Sequence, residues 1–198
     1  MVLKVILARH GESVFSVRGL LNGDREVPGG LTPAGVGQAR RLGAELAAER
    51  LDLCVTSELE RTIETADEAL RGRDVPRLVV PGFNDPRYGP YEGKRLQDYR
   101  AWASAHSSRE RPGVGAESRF ELVERYAGAF RDLLARPEET IAVVAHSLPI
   151  AYALEARDGV PPAARLPIAA YATPFPFAAD ELAAVIAVLD RWLAAPTF

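Results

Sequence analysis

Three short apolar runs govern how this chain can fold. Val2–Ala8, Leu51–Thr56 and Thr140–Ala145 are nearly continuous stretches of valine, isoleucine, leucine and alanine. A strand with one wet face alternates polar and apolar residues, whereas a strand buried on both faces does not. Runs of the second kind, separated by segments of helical periodicity, imply a mostly parallel sheet with helices on both sides. The helices announce themselves at their starts. Thr32-Pro33 predicts an N-cap and first turn, and Val36, Ala39, Leu42 and Leu46 keep near-helical spacing to about Arg50. Ser57-Glu58-Leu59-Glu60 and Ser118-Arg119-Phe120-Glu121 both have capping-box spacing. They predict helices running to about Leu70 and to Pro137. Further helices are expected from Leu148 to about Arg157 and over Asp180–Ala194, with weaker strands at Arg77–Val80 and Leu166–Tyr171. Pro81–Gly115 is dense in turn signals and holds one short helix around Leu96–Ala105. The expected fold class is therefore α/β: a three-layer α/β/α sandwich with a mostly parallel central sheet, and a short loop and helix insertion (about 81–117) over the site. At 198 residues, without repeats or a long linker, a single domain spanning 1–198 is expected.

Composition narrows the function mostly by exclusion. A single cysteine, Cys54, leaves no disulfide framework, thiolate zinc cluster or C-x-x-C motif. A net charge of -3 gives no overall basic field for nucleic acid or an acidic membrane. No apolar run approaches the roughly 18 residues that span a bilayer, and the N-terminal run is short for a signal segment. A cytoplasmic location is the expectation.

In sheets of this kind the site lies off the carboxyl ends of the strands. Two of the three histidines fall there. Arg9-His10-Gly11 follows the first strand, and His146-Ser147 follows the strand Thr140–Ala145. The third, His106, lies in polar surroundings and is expected to be solvated. Arg61 sits in the first turn after Leu51–Thr56, where free backbone N–H groups and a guanidinium offer donors together. Two arginines and two histidines suit a dianionic phosphoryl group: guanidinium forks hold its oxygens and a neutral imidazole attacks phosphorus. No metal is called for and no carboxylate cluster has ligand spacing. An acid for the leaving oxygen is still required, and Asp85 and Glu92 in the insertion are the candidates.

The motifs carrying these residues resemble those of the histidine phosphatase superfamily, which contains cofactor-dependent phosphoglycerate mutases and many small phosphatases. Arg9-His10-Gly11-Glu12-Ser13 is similar to R-H-G-E-[ST], and Leu31-Thr32-Pro33-Ala34-Gly35 with Gln38-Ala39 to L-T-x-x-G-x-x-Q-A. Ser57 to Ala66 resembles S-x-L-x-R-[TA]-x-[EQ]-T-A, Gly89–Gly93 resembles G-x-[WY]-E-G, and Val143–His146 resembles the second-histidine strand. The segments occur in order from residue 2 to about 155. The resemblance implies that His10 becomes phosphohistidine, that Arg9, Arg61 and His146 hold the phosphoryl group, and that Asp85 donates the proton. It implies structural roles for Glu12 and Glu92. Ser16 stands where the family often has a phosphate-contacting asparagine, Asn22 is a substitute for it, and Ser147 stands where glycine usually follows the second histidine. These three are expected to line the substrate. After Gly159 the usual closing strands of the family have no counterpart, so 159–198 is a divergent C-terminal region.

The resemblance implies a metal-independent phosphomonoesterase acting on a small phosphorylated substrate without a cofactor. The short insertion favours this over the mutase, whose phosphohistidine needs a larger shield. A phosphate-binding module without turnover is the non-enzymatic alternative. Thr173–Phe177 has two readings, a homodimer contact or an anchor for the last helix.

Overall fold

The computed structural model describes residues 1–198. Its strands are β1 (Lys4–Arg9), β2 (Leu53–Thr56), β3 (Arg77–Val79), β4 (Thr140–Ala145) and β5 (Pro174–Ala178). They form one sheet in the order β3-β2-β4-β1-β5, parallel throughout except for β5, which runs antiparallel to β1. Helices α1 (Pro33–Glu45) and α2 (Glu60–Ala69) pack together on one face. The other face carries α4 (Arg119–Leu134), α5 (Ser147–Arg157) and α6 (Ala179–Ala194), while α3 (Leu96–Ala105) belongs to the insertion.

The continuous apolar runs are explained by two cores. Along β1, Val5 and Leu7 enter the large core under α4–α6, while Ile6 and Ala8 enter the smaller core under α1 and α2. Strand β4 divides in the same way, with Ile141 and Val143 on one side and Ala142 and Val144 on the other. A separate aromatic cluster of Leu21, Tyr88, Tyr99 and Ala103 holds the insertion together. His106 is half-buried there, its ring stacked on Trp102 at 4.6 Å, rather than simply solvated.

Two expected features are replaced. Leu166–Tyr171 is not a strand; only Tyr171 makes an isolated bridge, to Arg9. Two of its carbonyls are taken by arginines instead, Leu166 O by Arg100 and Ala169 O by Arg9, and just before it Ala164 O accepts from Arg119. The last strand is β5, so Thr173–Phe177 is the edge that leads into α6, with Phe177 in the large core. The amides of Ala178 and, by alternation, of Pro176 and Pro174 point away from β1, as the Ala178 N bond to Glu181 shows. Two prolines thus remove the outward donors on which another strand could pair. Ser57 is not a helix cap either. Helix α2 starts at Glu60 with no side-chain cap, and Ser57 is drawn into the site described next.

Candidate active site

The loop after β1 is set by two glycines that leave no room for a side chain. A Cβ on Gly11 would lie 2.5 Å from Gly35 O, and one on Gly35 would lie 2.0 Å from Glu12 O. The start of α1 therefore packs directly on the backbone beside His10. Thr32 N donates to Glu12 O at 2.9 Å, and Glu12 N donates to Gln38 Oε1 at 2.7 Å. From α2, Thr65 Oγ1 accepts from Gly11 N at 3.0 Å, and Glu64 accepts from Leu31 N at 2.6 Å. The chain around His10 is thus held by side chains on two helices.

This placement fixes the chemistry of His10. Its Nδ1 lies 2.6 Å from Gly11 O, which only accepts, so Nδ1 carries the proton. Arg61 Nε, which only donates, points at His10 Nε2 from 3.2 Å, so Nε2 carries the lone pair. Burial lowers the histidine well below its ordinary pKa, and the charges of Arg61 and Arg9 lower it further. The geometry at His10 is that of a neutral imidazole with its lone-pair nitrogen facing Arg61.

His146 lies 5.3 Å from His10 between ring centroids and is 1% exposed. Arg61 Nη2 donates to its Nδ1 at 3.2 Å, which leaves Nε2 as the donor to Ser57 Oγ at 2.8 Å. Ser57 Oγ also accepts from Leu59 N and pairs with Thr62 Oγ1, so the serine orients the second histidine. Burial, then Arg61, His10 and Arg9, hold His146 well below the ordinary histidine value.

Arg61 ties these groups together. Besides both histidines it donates to Asn22 Oδ1 (2.8 Å), Asn22 O (2.9 Å) and Asp85 Oδ2 (2.9 Å). Asp85 sits 3.8 Å from His146 Nδ1 with its side chain 17% exposed. Burial raises its pKa, and the opposing pull of Arg61 and Arg9 is weaker. Its loop is pinned because Asn84 O accepts from Tyr126 Oη and Arg125, and Asn84 Oδ1 accepts from Glu58 N. Glu92, the other candidate acid, spends its oxygens on Tyr88 N and Gly23 N and is structural, as is Glu12.

Arg9 stacks on Tyr171, with Cζ 3.8 Å from the ring centroid, and its Nη1 donates to Ala169 O. Its buried Nε has no partner in the protein, an unused donor beside His10. All eight residues singled out in the sequence line one cleft of about 510 Å³ or, in the case of His146, sit behind it. Asn22 supports Arg61 more than it faces the cleft, Ser16 bonds back to Ser13, and Ser147 Oγ accepts from Ala169 N. Tyr171, in a segment expected to be a strand, and Arg119, a spacer position in a capping box, also line the cleft, and nothing in their sequence spacing marks them. No group of three or more histidine, cysteine or carboxylate side chains is placed to hold a metal ion.

A model of the histidine phosphatase superfamily (branch 1) matches residues 5–173. The chain belongs to this superfamily. Among its relatives, the adenosylcobalamin/alpha-ribazole phosphatase of Salmonella typhimurium is 32% identical over 156 residues, covering 73% of this chain and 74% of the relative. The 2,3-bisphosphoglycerate-dependent phosphoglycerate mutase of a Methylobacterium species is also 32% identical, over 170 residues, covering 79% and 81%. The crystal structure of the alpha-ribazole phosphatase from Shigella flexneri superposes with a TM-score of 0.70 at 26% identity, covering 80% of this chain and 81% of that one. This histidine phosphatase family member is an enzyme whose relatives include both phosphatases and mutases. The family match stops at 173, just before β5 and α6.

Proposed function

We propose that this enzyme is a metal-independent phosphomonoesterase that hydrolyses a small phosphorylated metabolite through a phosphohistidine on His10. The observation that carries the reading is the fixed tautomer of His10, with Nδ1–H given to Gly11 O and the lone pair left on Nε2. An incoming phosphoryl group takes over the Arg61 Nε donor and exposes that nitrogen for attack. As Nε2 bonds to phosphorus the ring becomes cationic, and Gly11 O is already placed to stabilise the charge. The phosphorus–oxygen bond to the alcohol breaks, and protonated Asp85 supplies the proton to the leaving oxygen. In the second step the Asp85 carboxylate takes a proton from water, the hydroxide attacks phosphorus, and the bond to Nε2 breaks to release phosphate. Arg9 and Arg61 supply donors for the phosphoryl oxygens in both steps. His146 joins them in its other tautomer, with Nε2 accepting from Ser57 Oγ and Nδ1–H turned to the anion. Ser16 and Ser147 stand at the wall of the cleft, and Asn22 holds Arg61.

The test is turnover of p-nitrophenyl phosphate in EDTA, with trapping of the phosphoenzyme by acid-free quench. Turnover lost in His10→Ala together with an acid-labile phosphoenzyme supports the mechanism. Absence of turnover between about pH 4 and 8, despite stoichiometric vanadate binding, would leave a binding module instead. Interconversion of phosphoglycerates primed by 2,3-bisphosphoglycerate, with little phosphate released, would make it a mutase.

A further inference from the structure

The residues gathered around His10 account for few of those lining the cleft. Four more arginines line it (Arg18, Arg95, Arg100 and Arg119), yet Asp85 is its only carboxylate. The chain as a whole carries a net charge of -3, so this excess of cations is local. Arg95 is paired with Asp98 outside the cleft. Arg119 is the informative one. It is 5% exposed, yet its partners are all neutral: Tyr99 Oη, Tyr152 Oη and Ala164 O, each at 3.2 Å. A guanidinium has five N–H groups, so donors remain beyond these three bonds. A neutral amide could hold the same acceptors without the cost of burying a charge that has no counter-ion.

Arg100 repeats the pattern. It is half-buried, its Nη2 donates to Leu166 O at 3.0 Å, and no carboxylate pairs with it. Burial and the neighbouring Arg165 and Arg119 charges push it below its ordinary value, a sign that like charges converge on this part of the cleft. The same cleft is also lined by apolar side chains, Phe15, Leu20, Leu96, Leu148, Pro167 and Ile168.

We propose that the substrate carries a second anionic group, a carboxylate or a second phosphate, on an apolar carbon skeleton, and that Arg100 and Arg119 bind that group. The proposal rests on the phosphatase reading above and specifies its substrate class. Two cations without counter-ions gain one on binding, and a charge-assisted contact contributes roughly 1.5–3 kcal/mol, about a tenfold effect or more.

The experiment compares kcat/KM for butyl and hexyl phosphate with their ω-carboxylated and ω-phosphorylated counterparts. The second anion is expected to raise kcat/KM about tenfold or more at one chain length at least, and the better arm identifies carboxylate or phosphate. Arg100→Gln should bring the ratio close to one. Arg119→Lys should lower it too, with circular dichroism confirming the fold, because Arg119 also ties Tyr99 to Tyr152. A ratio within about threefold of one at both lengths, or a ratio untouched in Arg100→Gln, overturns the proposal. Failure to hydrolyse any of these esters would instead overturn the phosphatase reading. In that event calorimetry with butyl and hexyl phosphonate against their ω-carboxylated forms decides, and equal affinity overturns the second-anion site.

Discussion

Replacing Thr65 by valine removes one oxygen and almost no volume, which makes it a clean probe of how the His10 loop is held. Thr65 is fully buried, and its Oγ1 accepts from Gly11 N at 3.0 Å while donating to Arg61 O at 2.6 Å. The second bond is cheap to lose, since Arg61 O keeps its ordinary helical partner. The first is not: the Gly11 amide would be buried without an acceptor, at a cost of roughly 1–3 kcal/mol. The added methyl returns up to about 0.8 kcal/mol of apolar burial. The net loss is about 1–2 kcal/mol, which at this size lowers Tm by about 2–8 °C.

Activity should fall further than stability. The peptide that loses its anchor joins His10 to Gly11, and Gly11 O is the acceptor that fixes the His10 tautomer. If His10 is the proposed nucleophile, its displacement by a fraction of an ångström costs about ten- to a hundredfold in rate. The assay is thermal unfolding by circular dichroism beside kcat on p-nitrophenyl phosphate, with Thr65→Ser as the variant that keeps the oxygen. Wild-type turnover and an unchanged Tm in Thr65→Val would show that the α2 anchor does not position the loop.

Glycine substitutions in α1 should separate contact from propensity. Gly35→Ala pushes a methyl into Glu12 O and is expected to cost about 1–3 kcal/mol and much of the turnover, whereas Gly37→Ala meets nothing within 4 Å and should stabilise by about 0.5–1 kcal/mol; equal melting temperatures for the two would contradict the packing. Asp85→Asn should lower kcat/KM for alkyl phosphates by about 10²–10⁴ and for p-nitrophenyl phosphate much less, because nitrophenolate leaves without a proton; equal losses on both would remove Asp85 as the acid. Activity should decline as pH rises through the raised pKa of Asp85, which must be protonated, and on the acid side as His10 takes up a proton. Stability should follow the histidines with the opposite slope. His10 and His146 have folded pKa values below their unfolded value near 6.5, so the unfolded chain gains protons first as pH falls and stability is lost below about 6.5, by at most about 2.7 kcal/mol per pH unit for two sites. Asp85 acts in reverse, favouring the fold at low pH and losing that contribution as pH rises above its unfolded value. A Tm that stays level or rises from pH 7.5 to 5 would argue against two neutral buried histidines.

What was legible followed from local rules. Strand β4 and helix α3 fall on the residues expected, and the Thr32 and Ser118 caps form, with Oγ accepting from Gly35 N and Glu121 N. His10, His146, Arg9 and Arg61 were readable because a parallel sheet puts strand ends at one place, whatever the loops do. The misses have a common cause in long-range competition. Ser57 has the spacing of a cap, but a buried imidazole 89 residues away claims its hydroxyl. Leu166–Tyr171 has the composition of a strand, but arginines at 9 and 100 take two of the carbonyls that a ladder would need. Arg119 counted as the filler of a local motif because nothing within four residues of it reveals Tyr152 or Ala164. Local patterns identify the groups that secondary structure delivers to the site, and leave out those recruited from one element by another.

The acidic residues explain how so positive a cleft coexists with a slightly negative chain. Glu12, Glu64 and Glu92 all lie in the motifs beside the site, but none lines the cleft. Glu92 and Glu64 accept from the backbone N–H groups of Tyr88, Gly23 and Leu31, and Glu12 accepts from Thr32 Oγ1. Their charge is spent clamping the loops that carry the site, where a carboxylate is the stronger acceptor. Had any of them turned inward, it would have neutralised Arg61 or Arg9 and competed with a phosphoryl group for the same donors. With the scaffold carboxylates turned away, Asp85 alone faces the cations, and burial raises its pKa above that of an exposed aspartate. Loop order and cleft charge are therefore one arrangement: the glutamates that fix the backbone around His10 are also the ones kept out of the way of the anion.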